Sequence, residues 1–329
     1  MDDRAKLELV GRVSALYREG RDGEAEALMR GVLAAAPDDA EAWHALGSLR
    51  LVQGDLLEGF RGWEARPERL RSALHRLPYP EWTGDPLRGR SILVGGEQGI
   101  GDEIMFGRFL PELRRLGASR VSLAALSVNL RLAEQFGVDA VYPRDGGEVR
   151  VPRHDCWVML GSLPHRLGVS LASLSGKPYL SAAPERRGGV AIVERGRPTH
   201  VNDAHRSLPP GLLRRVLPDA RPIEPRGDTA DSLGQVAGLD LLVTVDTSWA
   251  HMAGALGVPC WILLPAHSQD WRWLRNRDDS PWYDTVRLFR QPALGDWAAV
   301  VAAVAQALAV ELAPTPARIE RADDSASES

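Results

Sequence analysis

The 329-residue chain has little of what marks a redox, metal or membrane protein. It holds two cysteines, Cys156 and Cys260, and both lie inside apolar runs. That setting is typical of reduced core thiols and leaves no ligand cluster for zinc or an iron–sulfur centre. No apolar run approaches the roughly 20 residues that span a bilayer, and the acidic, amphipathic amino terminus does not fit a signal peptide. These absences predict a soluble cytoplasmic protein without a transmembrane segment.

The chain also has little excess of charge of either sign. The formal net charge of -4, with 26% charged residues, gives no basic surface for nucleic acid. A hydrophobic content of 44% is an ordinary globular value, so a sizeable core can be buried. The length suits two or three domains. We therefore expect a globular protein of several domains that does not bind nucleic acid.

The first 75 residues have a helical pattern that repeats. Three residue pairs recur 34 positions apart: Leu9 and Trp43, Gly20 and Gly54, and Ala25 and Gly59. That period belongs to the tetratricopeptide repeat, a pair of helices per unit. The stretch EAEALMRGVLAAAPDDAEAWHALGSLRLVQGD resembles that family, with small residues where two helices would cross; the alternative is an ordinary amphipathic hairpin. Two units fall short of the three or so needed for independent stability, so we expect this module to pack on the rest of the chain.

From residue 76 onward, strand-like apolar runs alternate with helical periods in two successive sets. Such alternation predicts parallel sheets covered on both faces, and two sets predict two facing α/β domains with a cleft between them. The predicted strands are 91–95, 121–125, 138–142 and 155–160, then, near these positions, 189–193, 239–245, 259–264 and 285–289. The predicted helices are 103–116 and 127–136, then, near these positions, 209–217, 229–237, 248–257 and 296–312.

The chain therefore divides into four predicted parts. Helical repeats occupy 1–75, a first α/β domain 76–184 and a second 185–313. The polar tail, 314–329, lacks a core-forming pattern and is predicted to be disordered.

A glycine-rich stretch, GGEQGIGDEIMFGRF (95–109), joins the first predicted strand to its helix. It is not a dinucleotide fingerprint, because Ile104 stands where the third glycine belongs. It is not a Walker loop either, because Asp102 and Glu103 replace the lysine and the hydroxyl. What remains is a turn that exposes a helix amino terminus and places Asp102 on its rim.

Two roles fit Asp102. As a cap it would stabilise the helix by about 1 kcal/mol. Facing an interdomain cleft, it would accept a proton from an incoming hydroxyl. A helix amino terminus lowers the pKa of a carboxylate and weakens it as a base, yet one residue can fill both roles. The residues leave the choice open.

A second stretch, LDLLVTVDTSWAHMAGALGVPCWILLP (239–265), ends a strand and begins a helix of small residues. Asp246, Thr247 and Ser248 supply the turn and cap between them. A helix start free of bulky side chains, at the carboxyl end of a strand, lets a diphosphate reach backbone N–H groups. His251, one turn in, is placed to donate to a phosphate or sugar oxygen. The alternatives are a structural histidine and, for Asp246, a polar loop residue.

Together, GIGDEIMFGRFLPEL and VDTSWAHMAGALG resemble the bacterial heptosyltransferase group (glycosyltransferase family nine type) of GT-B glycosyltransferases. The chain is more similar still to the tetratricopeptide-repeat glycosyltransferase-like proteins of bacteria. That likeness runs from the repeats through PEWTGDPLRGRSILVGGEQGIGDEIMFGRFLPEL to DWRWLRNRDDSPWYDTVRLFRQPALGDWAAVV and covers nearly all of the chain except the tail. The resemblance implies an α/β fold of GT-B architecture, two facing Rossmann-like domains, here preceded by a short all-α repeat module.

The resemblance also implies a function. Such a protein moves a sugar from a nucleoside-diphosphate donor to a hydroxyl of a protein or glycan acceptor, which the repeats would recruit. It needs no metal and no cofactor, since the sugar nucleotide is a substrate. Asp102 carries over as the base, with Gly101 beside it on the donor. The residues that would hold the diphosphate are Asp246, Thr247, Ser248 and His251. We therefore expect Gly101–Asp102 and Thr247–Ser248 on opposite walls of the cleft.

A polar segment, ERGRPTHVNDAHRSLP (194–209), offers further donor-binding residues. Arg206 is best suited to a bidentate phosphate contact, with His200 and Asn202 beside it. For the residues other than Arg206 the alternative is a solvated polar loop. The segment matches the family pattern G-N-P-x-H-x-N-D-x-x-R-S at Gly196, Pro198, His200, Asn202, Asp203, Arg206 and Ser207.

Two departures from the family leave other hypotheses open. Arg197 replaces the family's asparagine, with the usual upstream tryptophan absent, and the span from Leu217 to Asp228 is short. The alternative is a catalytically degenerate scaffold or nucleotide-sugar-binding protein that keeps the fold. A third hypothesis, a sugar-nucleotide epimerase, would need further acids and bases in the second domain, and we find none there.

The carboxyl-terminal block is rich in tryptophan. We expect these rings to pack and to shape the cleft wall, with one ring available to stack on a sugar or base. The four residues are Trp271, Trp273, Trp282 and Trp297.

Overall fold

The computed structural model describes residues 3–200, 202–266 and 270–311. Within these ranges the chain forms two helical hairpins, a four-stranded sheet and a five-stranded sheet. The predicted α/β class with an amino-terminal helical module is confirmed. The tail predicted to be disordered, 314–329, lies outside the described residues.

The amino-terminal module contains two helical hairpins and a short fifth helix. Asp39 and Asp55 begin the two helices of the second hairpin, because each side chain accepts a hydrogen bond from a backbone N–H of the first turn. Gly20 and Gly54 turn the chain after the first helix of each hairpin, both with the positive φ that favours glycine. The helices are α1 (Asp3–Arg18), α2 (Asp22–Ala35), α3 (Ala40–Gln53), α4 (Leu56–Trp63) and α5 (Pro67–Leu70).

Glycines let the two helices of the second hairpin approach closely. A Cβ added at Gly47 would lie 2.7 Å from the backbone of Gly62. A Cβ at Gly62 would lie 2.6 Å from the carbonyl oxygen of Trp43. No larger side chain fits at such a crossing without moving a helix. The prediction of small residues at the helix crossings is confirmed.

The first sheet has four parallel strands in the order β3-β2-β1-β4. One face packs on helices, and the other packs on Leu74, Leu77 and Tyr79 through Leu93 and Trp157. In chain order its elements are β1 (Ser91–Gly95), α6 (Ile100–Gly107), α7 (Leu110–Arg115), β2 (Arg120–Ala125), α8 (Leu130–Ala133), β3 (Ala140–Pro143), β4 (Cys156–Met159) and α9 (Leu163–Arg166).

Two helices predicted for this part are broken. The helix predicted over 103–116 is α6 followed by α7, because Pro111 has no N–H to continue the ladder and its ring clashes with the preceding turn. The helix predicted over 127–136 is α8 flanked by 3₁₀ turns on both sides. Gly137, with a φ of 69°, ends that segment.

The second sheet has five parallel strands in the order β6-β5-β7-β8-β9. Helices α11 and α12 lie on the face toward the first sheet, and α13 packs on the other face. In chain order its elements are β5 (Val190–Val193), α10 (Asp203–Arg206), β6 (Arg221–Pro222), α11 (Thr229–Val236), β7 (Leu241–Val245), α12 (Ser248–Leu256), β8 (Cys260–Leu264), β9 (Val286–Arg290) and α13 (Trp297–Glu311).

The helix predicted near 209–217 is wrong. The structure has only a 3₁₀ turn there, Leu213–Arg215. Pro209 and Pro210 offer no N–H, and Gly211 has a φ of 76° that is incompatible with a right-handed helix. The short strand β6 that comes next was not predicted.

A continuous apolar core joins the repeats to both sheets. Phe60 of α4 meets Trp271 and Trp282 edge-on, with ring centroids 5.5 and 6.4 Å away. Trp63 lies 5.5 Å from Trp271. These rings pack as predicted, whereas Trp297 belongs to a separate core behind the second sheet. The prediction that the repeats pack on the rest of the chain is confirmed.

The two sheets face each other with α6 and α12 in direct contact. Hydrogen bonds cross between them, because Thr229 donates to Asn129 at 2.6 Å and Arg131 donates to Asp231 at 2.8 Å. All strands of the two sheets fall within the ranges predicted for two α/β domains. The domain boundaries themselves stay a prediction.

Candidate functional site

The glycines between β1 and α6 are explained by packing inside the protein. A Cβ at Gly96 would lie 2.5 Å from both the carbonyl oxygen of Ala124 and a carboxylate oxygen of Glu103. A Cβ at Gly101 would lie 2.6 Å from Cδ2 of His251. Both approaches are closer than side chains tolerate. The turn therefore needs glycine for contacts with its own chain, a reason that sequence reasoning missed.

A buried ion pair ties this turn to the end of the repeats. Arg66 donates from Nε and Nη2 to the two carboxylate oxygens of Glu97, at 2.7 and 2.6 Å. Glu97 also accepts from the backbone N–H of Gly161 at 2.6 Å. Nη2 of Arg66 donates to the hydroxyl oxygen of Ser162 at 3.0 Å. Arg66 is 0% and Glu97 4% exposed. This bidentate pair between Arg66 and Glu97, the fork, fixes the glycine turn relative to α4 and α5.

A second buried carboxylate holds the other side of the turn. Glu103 accepts from Asn129 and from Nε of Arg144, both at 2.7 Å. Arg144 also donates to the backbone carbonyl of Gln98, which has a φ of 57°. Burial raises the pKa of Glu103. Glu97 and Glu103 are thus structural, and they leave Asp102 as the carboxylate of this turn that lines open space.

Asp102 is anchored through both carboxylate oxygens. Oδ2 accepts from the N–H of Gly99 at 2.8 Å, so the side chain does cap α6, from its third position. Oδ1 forms an ion pair with Arg272. The side chain is 21% exposed, and burial raises its pKa although Arg272 acts to lower it. The capping interaction is present, and the role as base stays a prediction.

Asp102 opens onto a cleft of about 830 Å³. Its floor is the glycine turn, with Gln98 and Gly99 beside the carboxylate. One wall is the segment Asp270–Arg272, with His200 nearby. The repeats line the rest of the cleft, where α1 and α3 present Ser14, Tyr17, Ala45 and Ser48. All three parts of the chain therefore meet at this cleft.

Arg272 dominates the electrostatics of the cleft wall. Its Nη1 donates to both carboxylate oxygens of Asp270, at 2.8 and 2.7 Å, and its Nη2 reaches Asp102. The guanidinium lies 4.4 Å from the ring centroid of Trp271. Burial acts to raise the pKa of Asp270, but Arg272 outweighs it and the pKa lies below its usual value. Sequence reasoning missed both residues, although an arginine between two tryptophans was a usable signal.

The turn after β7 carries three predicted donor-binding residues. The backbone carbonyl of Asp246 accepts from Nη1 of Arg206 at 2.9 Å. Burial and the nearby Asp270 carboxylate raise the pKa of Asp246 to about 6. Thr247 precedes α12, where its hydroxyl lies 3.3 Å from that of Thr244, and Ser248 is the first residue of that helix. All three side chains are partly exposed.

The polar segment, described at residues 194–200 and 202–209, folds over that turn. The Arg206 side chain is 12% exposed. Its Nε lies 3.3 Å from a carboxylate oxygen of Asp203, and its Nη1 donates to the backbone carbonyl of Asp246. A Cβ at Gly196 would lie 2.6 Å from the Arg206 guanidinium, which explains the glycine. The predicted neighbours His200 and Asn202 lie together, with the N–H of Asn202 3.2 Å from His200 Nδ1. The structure thus brings this segment and the turn after β7 together.

His251 is buried rather than free at the helix start. Its Nδ1 lies 2.9 Å from the hydroxyl of Tyr283, and its ring stacks on Trp273 at 5.4 Å. Burial lowers its pKa to about 3, so the ring is neutral. This is the position of a structural histidine, the alternative considered from sequence. Its contact with a donor stays a prediction.

The two turns predicted to line opposite walls of one cleft lie close together. Gly101 meets the ring of His251 in α12, so the helices that follow the two turns touch there. Arg272 interacts electrostatically with both Asp102 and Asp246, one carboxylate from each turn. Thr247 and Ser248 do not line the cleft described beside Asp102, and their placement on the wall opposite Gly101–Asp102 stays a prediction.

Two absences hold for the described residues. Within 3–200, 202–266 and 270–311, no group of three or more His, Cys, Asp or Glu side chains is placed to hold a metal ion. No helix in this part of the chain is long and apolar enough to cross a membrane. Independence from metal and the cytoplasmic location stay predictions.

Comparison with known proteins identifies the repeats and a longer relative. Residues 8–49 match the tetratricopeptide repeat family, which confirms the repeats predicted from the 34-residue period. Protein FlbA of Caulobacter vibrioides is 25% identical over 360 aligned positions, which cover 87% of this chain and 59% of that protein. The chain thus spans about three fifths of the length of this curated relative.

Among solved structures, two transferases align with about two thirds of this chain. A glycosyl transferase family 9 structure from Veillonella parvula has a TM-score of 0.48 and 12% identity, covering 68% of this chain and 97% of that one. The E. coli heptosyltransferase WaaC with ADP-2-deoxy-2-fluoro heptose has a TM-score of 0.47 and 11% identity, covering 67% and 99%. The chain therefore contains a segment that matches the tetratricopeptide repeat, followed by two parallel sheets, and its sequence is similar to that of FlbA.

Proposed function

We propose that this protein is a glycosyltransferase that moves a sugar from a nucleoside-diphosphate donor to a hydroxyl acceptor. The observation that carries the proposal is the position of Asp102, a partly exposed carboxylate on an 830 Å³ cleft bordered by all three parts of the chain. A cleft of that volume is in the range of small-molecule sites. The glycine turn and the VDTSWAH turn, on which the resemblance to transferases rests, both flank this region.

The chemistry assigned to Asp102 is general-base catalysis. The acceptor oxygen attacks the anomeric carbon of the sugar, and its proton passes to Asp102. The bond between that carbon and the diphosphate oxygen breaks, and the nucleoside diphosphate leaves with the electron pair. A base works best when its pKa lies near the working pH, so the raised pKa of Asp102 favours this role.

The donor is assigned to the turn after β7 and the segment folded over it. Arg206 supplies a guanidinium there, and the start of α12 supplies backbone N–H groups. Asp246, with a pKa of about 6, is mostly ionised at neutral pH, and Arg206 and Arg272 offset its negative charge. His200, Asn202, Thr247, Ser248 and His251 remain candidate donor ligands in this proposal, without a metal.

The acceptor is assigned to the side of the repeats. Helices α1 and α3 border the cleft with small and hydroxyl side chains, Ser14, Ala45 and Ser48, beside Tyr17. An extended protein or glycan segment lying on this wall would bring a hydroxyl to Asp102. The repeats would then act in recognition of the acceptor as well as in folding.

A second candidate function is a scaffold that binds a sugar nucleotide without turnover. The observation in its favour is that His251 is buried against Gly101 and paired with Tyr283, so its contacts are already made within the fold. The test is incubation of the full chain with a panel of nucleoside diphosphates and their sugars. Binding is followed by thermal shift, and release of nucleoside diphosphate by mass spectrometry. Release supports the transferase, stabilisation without release supports the scaffold, and neither result contradicts both.

A further inference from the structure

The guanidinium of Arg272 is held in place from two sides. It belongs to a 3₁₀ turn, Trp271–Trp273, whose flanking rings pack on different parts of the molecule. Trp271 contacts Phe60 of the repeats at 5.5 Å, and Trp273 stacks on His251 of α12 at 5.4 Å. The location of Arg272 is therefore set by aromatic packing that joins the repeats to the second sheet.

Arg272 directs its hydrogen bonds to acidic and amide groups of the cleft. Nη1 serves both oxygens of Asp270, while Nη2 serves Asp102 and lies 3.3 Å from the Gln98 side-chain oxygen. Arg272 is 5% exposed, and its buried Nε has no hydrogen-bond partner. Burying a charged arginine costs desolvation free energy unless its partners are well placed.

Asp102 is oriented by two donors. The N–H of Gly99 holds Oδ2, and Arg272 holds Oδ1. Two anchors fix the plane of a carboxylate, yet each oxygen keeps a second lone pair for another partner. We propose that Arg272 is the positioning residue of Asp102, holding its carboxylate toward the cleft and tuning it as a proton acceptor. The inference rests on the proposed function, since orientation matters for transfer only if Asp102 takes the acceptor proton.

The charges around Asp102 decide the direction of the effect. Asp270 and Arg272 face it from the tryptophan turn, Glu97 from the glycine turn, and His200 from the segment over β7. Glu68 of α5 lines the same cleft from the repeats. Among these described groups, Arg272 carries the fixed positive charge. His200 does not, because burial lowers its pKa. Without Arg272, the partly exposed Asp102 would have the Asp270 carboxylate beside it and no cation bonded to it.

The direct test is a carboxyl titration by ¹³C NMR of the full chain, with Asp102→Asn used to assign the signal. Loss of an opposite charge at this distance should raise the titration midpoint of Asp102 in Arg272→Gln by about one to three pH units. Arg272→Lys keeps the charge and should hold the midpoint near that of wild type. An unchanged midpoint in a folded Arg272→Gln protein would overturn the proposal.

A second variant should shift the Asp102 titration midpoint in the opposite direction, and it tests the proposal even if Arg272→Gln does not fold. Asp270→Asn removes a repelling carboxylate and leaves Arg272 to Asp102 alone, so the Asp102 midpoint should fall. A rise of the Asp102 midpoint in this variant would contradict the sharing of the Arg272 guanidinium between Asp270 and Asp102. Asp270→Asn is nearly isosteric, so it changes packing less than Arg272→Gln, which removes the guanidinium from the Trp271 ring.

Kinetics separate this inference from the proposed function. If transfer occurs, the acidic limb of the kcat profile should move to higher pH in Arg272→Gln by the shift seen in NMR, with KM for donor unchanged. A merely structural arginine would lower kcat without moving the limb, which overturns the proposal. If the NMR shift occurs in a protein that never turns over, the orientation of Asp102 by Arg272 holds and the transferase function fails.

Discussion

The two strand-to-helix turns, β1 to α6 and β7 to α12, each follow an interior strand of a parallel sheet but are built differently. The first is surrounded by buried ion pairs and leaves Asp102 partly open to a cleft. The second is followed by small residues and a neutral, buried His251 that closes against Gly101. A glycine or small-residue helix start is thus compatible with an open site at one turn and tight packing at the other. Motif and position alone do not decide which.

The largest expected effect concerns the support under the first turn. Arg66→Met leaves Glu97 charged and buried without its partner, so the free energy of unfolding should fall by about 3–5 kcal/mol. The measurement is urea denaturation followed by circular dichroism. Arg61→Met is the control, because its pair with Glu58 is exposed and 3.6 Å long, and such pairs contribute less than about 1 kcal/mol. Equal losses in both variants would contradict the role given to the buried pair.

The next prediction tests whether the second turn binds the donor despite its packing. Arg206→Ala removes a charge-assisted contact worth about 1.5–3 kcal/mol, which corresponds to a Kd weaker by about 10- to 150-fold. Calorimetry with the nucleoside diphosphate that binds wild type best measures it. Arg214→Ala, at an exposed position outside the site, should change nothing. Unchanged affinity in Arg206→Ala would assign Arg206 to folding of the polar segment alone.

A third prediction uses the raised pKa of Asp246. A carboxyl whose folded pKa of about 6 exceeds its unfolded value stabilises the protein when protonated, and that stability is lost as pH rises toward and through 6. Asp246→Asn stays neutral, so it should be more stable than wild type by about 2 kcal/mol above pH 6 and by nothing near pH 3. Melting curves across this range measure the difference. The exposed Asp219→Asn is the control for the loss of one negative charge.

The smallest effect concerns the contact between the turns. Gly101→Ala pushes a methyl group into the His251 ring at 2.6 Å and should destabilise by about 1–2 kcal/mol. Gly31→Ala in α2 meets nothing within 4 Å and should stabilise by up to about 1 kcal/mol, because alanine favours helix. Thermal denaturation of both proteins gives the comparison. A stabilising Gly101→Ala would mean that α6 and α12 are not in contact in solution.

Local features of this chain could be predicted, and distant contacts could not. The repeats followed from a fixed period, and the strands from apolar runs bounded by turn residues. Asp102 was placed correctly on the rim of its turn, because the strand and helix on either side define it. The fork between Arg66 and Glu97 joins residues 31 positions apart, and the pair between Arg272 and Asp102 joins residues 170 apart. No local pattern carries such partners.

The helix expected near 209–217 shows how a local pattern can fail. The segment satisfies an apolar period, but Pro209, Pro210 and Gly211 prevent its first turn. The close approach of α6 and α12 was not predicted either, because it depends on Gly101 and His251 together. Neither the backbone conformation of one segment nor the packing of two distant segments is contained in an apolar period.

The measurement that tests the central claim most directly is sugar transfer, or donor hydrolysis, by wild type and Asp102→Asn. Asparagine keeps the size of the side chain and a capping oxygen but cannot take a proton. The rate should fall by about two to four orders of magnitude, while donor affinity stays within about twofold of wild type, because the donor is assigned to the other turn. Asp219→Asn, exposed and outside the cleft, should match wild type. A wild-type rate in Asp102→Asn would contradict the account and leave Asp102 as a helix cap.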